Sequence, residues 1–179
     1  MAEADDTSLG LLSHLEALGE GSRVADQLFG MVGRSPFFVE FNHEDIQRLA
    51  SFMLVYRAQP EQVIIREGDG GDFMLLLIQG QVDILKNNQR GEQQMMTTVG
   101  PGMTLGEMSM IDGEPRFATC VARESSTVAA LTREAMVQII LEQPSLGAKI
   151  LIKLVTLLSQ RLRQTSAKLL QFMERPLDF

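Results

Sequence analysis

Seven short apolar runs, at residues 53–56, 63–65, 73–78, 82–85, 95–99, 119–122 and 128–131, constrain this chain more than anything else in it. Turn signals separate them: Gln59-Pro60, the glycine-rich stretch from Gly68 to Gly71, Gln79-Gly80, Asn87-Asn88 with Gly91, and Gly100-Pro101-Gly102. Many short strands at roughly 8–12-residue spacing fold into a barrel or a sandwich, because each is too short to bury its apolar face alone. The chain has 179 residues and is 45% hydrophobic. A domain of that size buries roughly two-thirds of its unfolded surface, enough for a core without covalent staples.

The flanks have a different period. Leu9, Leu11, Leu12, Leu15 and Leu18 recur at helical spacing, and Gly19 to Gly21 breaks the pattern. A second helix is expected from about Arg23, with Val24, Leu28, Met31 and Val32 on one face and Gly33 at its end. Asn42 is a good N-cap for a helix over residues 43–50, which carries acids in its first turn. The first fifty residues therefore read as a helical lead-in. Beyond Leu131, Thr132 can cap a helix over 133–142, and Pro144 suits the first turn of a longer one running to about Met173. In that helix Leu151, Val155, Leu158, Leu162, Thr165, Leu169 and Phe172 alternate in steps of four and three. Such a stripe fits a parallel dimer seam, or a helix packed on its own domain. With Leu154, Leu157 and Leu170 flanking it, the helix is expected to be covered on both sides. The implied division is a helical lead-in (1–34), a β-barrel (35–143) and a C-terminal helix (144–179) for dimerisation or signal output.

Between the last two groups of strands lies Leu105-Gly106-Glu107-Met108-Ser109-Met110-Ile111-Asp112-Gly113-Glu114-Pro115-Arg116-Phe117-Ala118-Thr119. Gly106 admits a close backbone approach, Glu107 to Ile111 can form one or two helical turns, and Asp112-Gly113 ends them. The N-terminus of a short helix presents unpaired N–H groups, and an arginine folded over it adds a charge-assisted fork for a phosphate. A carboxylate such as Glu107 can accept from a sugar hydroxyl. The alternative is that Glu107 caps a helix and Arg116 pairs with a surface acid such as Glu114.

This order of residues resembles the phosphate-binding cassette of the cyclic nucleotide-binding domain family, through Leu105, Gly106, Glu107, Pro115, Arg116, Ala118 and Thr119. Gly68-Asp69, the run 73–78, Gly80 and Val82 resemble that family's early strands, so the likeness covers about residues 36–173. The resemblance implies a jelly-roll β-barrel with N-terminal helices and a long C-terminal helix, an α+β fold that is mainly β. It implies that Glu107 binds the ribose 2′-hydroxyl and Arg116 the cyclic phosphate, helped by backbone N–H groups of Gly106, Met108 and Ser109, with Phe117 and Ala118 beside them. Phe117 departs from the pattern, since the family carries Ala, Ser or Thr there. It removes a hydroxyl that would favour guanine, and it either crowds the phosphate or lines the pocket differently. The string from Arg161 to Ser166 and Lys168 resembles the long helix of catabolite activator proteins, where a Thr-Ser pair reaches the adenine from both subunits. Thr165 and Ser166 are base contacts by that resemblance, although they stand about one helical turn, ~5 Å, further from Pro144. A threonine merely tolerated within a helix is the plain alternative.

Charge and composition narrow the function. The formal net charge is −7 with a pI near 4.9, against the basic face that nucleic-acid binding draws on. The basic cluster Arg161, Arg163 and Lys168 reads as a solvated helix face. A single cysteine, Cys120, excludes an intrachain disulfide, and it reads as a small core residue rather than a reactive thiol. Residues 1–6 lack a basic and apolar leader pattern, and no uncharged apolar run reaches ~18 residues, so a cytoplasmic protein without a membrane partner is expected. A metal-dependent enzyme on a small barrel needs several converging ligands, yet the only histidines, His14 and His43, fall outside the strands. The expectation is therefore neither an enzyme nor a metal or cofactor protein. It is a cyclic nucleotide receptor, for cAMP, that homodimerises through its C-terminal helix and signals to a downstream protein without binding DNA. The alternative keeps the fold without the ligand, as a protein interaction domain.

Overall fold

The run Phe73–Gln79 is buried at its first six positions, so it needs apolar cover on both faces. In the computed structural model, which describes residues 10–31 and 35–174, it receives both. The chain runs through β1 (Glu16–Glu20), a 3₁₀ turn (Gly21–Val24), α1 (Ala25–Phe29), α2 (His43–Ser51), β2 (Leu54–Ala58) and β3 (Val63–Ile65). It continues through β4 (Phe73–Gln79), β5 (Val82–Asn87), β6 (Gln93–Val99), β7 (Thr104–Leu105) and α3 (Glu107–Asp112). β8 (Thr119–Ala122), β9 (Ser126–Thr132), α4 (Arg133–Glu142) and α5 (Pro144–Met173) complete it.

The strands form two antiparallel sheets, one of five in the order β1-β2-β9-β4-β7 and one of four in the order β3-β8-β5-β6. The expected jelly roll thus takes the form of two separate sheets, with no ladder among the described residues closing them into a barrel. On β4, Phe73, Leu75 and Leu77 face the space between the sheets, with Val82, Cys120, Ala122, Val128 and Ala130. Met74, Leu76 and Ile78 alternate to the other side, where Leu49, Met53, Ile139, Ile150 and Leu154 bring the helices onto the sheet. Each fully buried leucine or phenylalanine contributes about 1.5–3 kcal/mol.

The lead-in departs from the helical reading. Residues 16–20 form β1, paired to β2 with a bulge between Ala17 and Gly19, where φ reaches +102°. Leu12 and Leu15 are spent in the core between the sheets rather than on a helix stripe. The second expected helix shortens to α1 after the 3₁₀ turn, and Leu9, Val32 and Gly33 lie outside the described residues. Asn42 does cap α2, through a reciprocal box in which its side chain accepts from Asp45 N–H and Asp45 accepts from Asn42 N–H.

Asp45 also pairs with Lys149 of α5, and Lys153 Nζ lies 3.1 Å from Glu40. Burial raises the Asp45 carboxyl pKa, but the Lys149 hydrogen bond and the Asn42 N–H outweigh it and hold it below the ordinary value. Thr132 caps α4 through Ala135 N–H. The buried stripe of α5 is Leu146, Ile150, Leu154 and Leu157. On its other stripe Val155, Leu162 and Leu169 are 64%, 69% and 60% exposed, and Leu170 is exposed as well. Within the single chain, then, one side of the helix is covered. No helix among the described residues is long and apolar enough to cross a membrane.

Candidate functional site

β7 ends at Leu105, and the backbone must turn at once into α3. Gly106 does this at φ +72°, and a side chain there would strike Arg116 Nη1 and stand 3.0 Å from Ile65 Cδ1. Glycine is thus required twice, for its conformation and for its missing volume. Glu107, the first residue of α3, is 2% exposed, and Arg116, after the loop through Gly113 and Pro115, is 3% exposed. The Arg116 guanidinium donates from Nη1 to Gly106 O at 2.7 Å, and its Cζ sits 4.3 Å from the centroid of Phe73. Its backbone pairs with the glycine-rich turn, Arg116 N–H donating to Asp69 O at 2.8 Å and Gly68 N–H to Arg116 O at 2.9 Å. Burial lowers the Arg116 pKa, while Cys120, Asp72 and Glu107 act in the opposite direction.

Both charges stay incompletely satisfied. Glu107 Oε1 accepts from Arg161 Nη1 of α5, whose Nη2 donates to Thr104 O at 2.9 Å. Among the described residues, neither Glu107 Oε2 nor Arg116 Nη2 has a hydrogen-bond partner, although both atoms are buried. Buried polar atoms are ordinarily paired, and leaving one unmade costs about 1–3 kcal/mol, more for a charged group. Both residues line one cavity of about 640 Å³, enclosed by β6, the cassette, the start of β8 and α5. A second space of about 400 Å³ lies between His14, β3 and the glycine-rich turn, and shares Arg116 and Ile65 with the first. Of the two, only the larger is lined by both Glu107 and Arg116.

The other expected residues distribute unevenly. Gly106, Met108, Ser109, Phe117 and Ala118 line the larger cavity, and so does Thr165, one turn beyond Arg161 on α5. Ser166 is exposed and is not part of the cavity wall. β8 begins only at Thr119, so Phe117 precedes the strand. Thr119 is buried and accepts from Glu67 N–H, whereas Phe117 is 52% exposed. The Phe117 ring is turned out under Lys86, whose Nζ lies 4.4 Å from the ring centroid and donates to Phe117 O at 2.7 Å. The ring therefore forms the rim of the cavity rather than filling the space beside Arg116.

Burial, with Arg116 opposing it, pushes the Cys120 thiol up to about 12, which leaves a core residue and no nucleophile. Arg161 and Lys168 also correct the sequence reading. Both line the cavity, Arg161 half-buried and Lys168 exposed as Arg163 is. The signal for Arg161 was its position four residues before Thr165, on the same helix face. Among the described residues, no group of three or more His, Cys, Asp or Glu side chains is arranged to hold a metal ion.

A domain with a buried carboxylate and a buried arginine on either side of a short helix, closed by a long C-terminal helix, is the architecture of a cyclic nucleotide-binding domain. The family description "Cyclic nucleotide-binding domain" matches residues 56–143, and the chain belongs to that family. It is similar to the crystal structure of a cyclic nucleotide-binding domain from Methylobacillus flagellatus KT, with 33% identity, 99% coverage of each chain and a TM-score of 0.84. It is also similar to the Thermus thermophilus catabolite activator protein, with 29% identity over 78% of this chain and 63% of that one, at a TM-score of 0.70. Among curated proteins it is 29% identical to the cyclic AMP receptor protein of Thermus thermophilus, over 75% of this chain and 61% of that protein. It is 30% identical to the cAMP-dependent protein kinase regulatory subunit of Dictyostelium discoideum, over 59% of this chain and 32% of that protein. The chain thus spans less than two-thirds of the curated relatives it matches.

Proposed function

We propose that the protein is a cyclic nucleotide receptor, with cAMP as its ligand, that transmits occupancy through α5 to a partner. One observation carries the reading: two buried charged atoms of opposite sign, Glu107 Oε2 and Arg116 Nη2, lack partners in residues lining one cavity. A ribose hydroxyl donates to the first, and a phosphate oxygen accepts from the second. Thr165 then faces the base from α5, and the absence of a hydroxyl at Phe117 disfavours guanine. The names of the relatives, a cyclic AMP receptor protein and a kinase regulatory subunit, support a regulatory role rather than a catalytic one.

Transmission has a physical basis in Arg161, because it ties α5 to the carboxylate that the ligand contacts. A ligand that alters this contact shifts α5 by as much as its affinity differs between the two arrangements. The open stripe of α5 supports a homodimer, whose second copy would bring Ser166 towards the neighbouring cavity. In this reading residues 35–143 sense the ligand, and the segment from 144 onward is the output. A cytoplasmic site of action, without DNA or membrane contact, completes it.

Calorimetric titration with cAMP, cGMP and cyclic di-GMP tests the proposal. The expected order places cAMP first and cGMP weaker. Absence of heat with all three, from folded protein, would leave the ligand-free interaction domain as the function.

A further inference from the structure

The far end of the cassette helix is held by a residue that the nucleotide reading does not use. α3 has only six residues, and of its last carbonyls Ser109 O accepts from the capping Gly113 N–H at 2.9 Å. Arg133, the first residue of α4, adds a second donor to Ser109 O and reaches Met110 O as well. Its Nε donates to Met110 O at 2.7 Å and its Nη2 to Ser109 O at 2.9 Å, a planar fork across consecutive carbonyls at the negative end of the helix. The Arg133 backbone N–H donates to Asp72 O at 2.6 Å, beside the start of β4, and Thr132 pairs with Phe73 in the sheet. One residue therefore joins the cassette, the central β4–β9 pair of the five-stranded sheet and the N-terminus of α4.

Beyond it the links stay tight. At Gly147 of α5 an added Cβ would lie 2.8 Å from Ile140 Cγ1 and 2.9 Å from Ile140 Cα, so α4 and α5 touch backbone to backbone. The cassette helix is thus gripped at both ends by arginines from the C-terminal helices. Arg161 of α5 takes its first residue, and Arg133 of α4 takes its last carbonyls.

We propose that Arg133 is a positioning residue, which sets the cassette helix for ligand binding and carries its displacement into α4 and from there into α5. The proposal rests on the nucleotide reading for its ligand. A neutral or shorter side chain loses one or both arms of the fork, and lysine keeps a charge but reaches the carbonyls as a single point.

The experiment is amide hydrogen exchange on the full chain, with and without saturating cAMP, for the wild type and for Arg133→Lys, Arg133→Gln and Arg133→Ala, alongside calorimetric cAMP titration. Without ligand, the amides of 107–113 should exchange about fivefold faster in Arg133→Ala, as expected when hydrogen bonds anchoring a short helix are removed. With cAMP bound, the slowing of exchange in α4 should fall to less than half its wild-type size, and Arg133→Lys should recover part of it. A wild-type response in α4, or unchanged exchange over 107–113, overturns the proposal. Should Arg133→Ala not fold, the series from wild type through lysine to glutamine must still fall in that order, and a flat series overturns it equally. If the wild type binds no cAMP, the nucleotide reading falls, while ligand-free exchange over 107–113 still decides whether Arg133 positions the cassette.

Discussion

Arg116 and Glu107 are 3% and 2% exposed, and each retains a charged atom without a hydrogen-bond partner among the described residues. A charge-assisted hydrogen bond contributes about 1.5–3 kcal/mol net, so Arg116→Ala should weaken cAMP binding by at least about tenfold. Calorimetry on a variant that melts like the wild type checks this, and unchanged affinity would remove Arg116 from the site. Glu107→Gln keeps the volume and one acceptor but loses the charge offered to the 2′-hydroxyl. It should weaken cAMP by about tenfold or more while leaving 2′-deoxy-cAMP bound equally by variant and wild type. Strong discrimination of the deoxy compound between the two proteins would mean that Glu107 acts on something other than the ribose. These two residues were legible in the sequence because their signals are local: a glycine, a short apolar helix, a turn and a Pro-Arg step within fifteen positions. The setting of Phe117 was not, because Lys86, 31 residues away on β5, decides where its ring lies.

Most elements were legible for the same reason. Strand β4, the Asn42 and Thr132 caps and the Pro144 start of α5 all rest on short-range chemistry. β1 was misread because its leucine spacing satisfies a helix, whereas pairing with β2 and the bulge at Gly19 override that spacing. The two-residue strand β7 is too short to show any period, and only its partner β4 defines it. For α5 the sequence left two uses of its stripe, and the fold separates them. Leu146, Ile150, Leu154 and Leu157 pack on the domain, and the exposed Val155, Leu162 and Leu169 are what a second chain would cover. Leu162→Glu should therefore shift the protein from dimer to monomer in sedimentation velocity at micromolar concentration, with its melting temperature as monomer within a few degrees of the wild type. A wild-type sedimentation coefficient in the variant would exclude this stripe as the seam.

The cavity lies where three parts of the molecule meet: the four-stranded sheet, the cassette and α5. A ligand there would satisfy the two unpartnered charged atoms and touch the cassette, which Arg133 and Arg161 also tie to α4 and α5. It binds the folded chain and not the unfolded one, so occupancy adds stability to the whole domain by mass action. At a free concentration one hundred times Kd the gain is about 2.7 kcal/mol. For a chain of this length each kcal/mol moves the midpoint by about 2–4 °C, so saturating cAMP should raise Tm by about 5–11 °C. The rise should grow with the logarithm of ligand concentration and should be smaller for cGMP. Arg116→Ala, with affinity at least about tenfold weaker, should show at most about half that rise at the same concentration if the buried arginine is the phosphate's partner. A shift of equal size with adenosine, which carries no phosphate, would show that the cavity holds the base alone, and would leave the unpartnered guanidinium without its explanation.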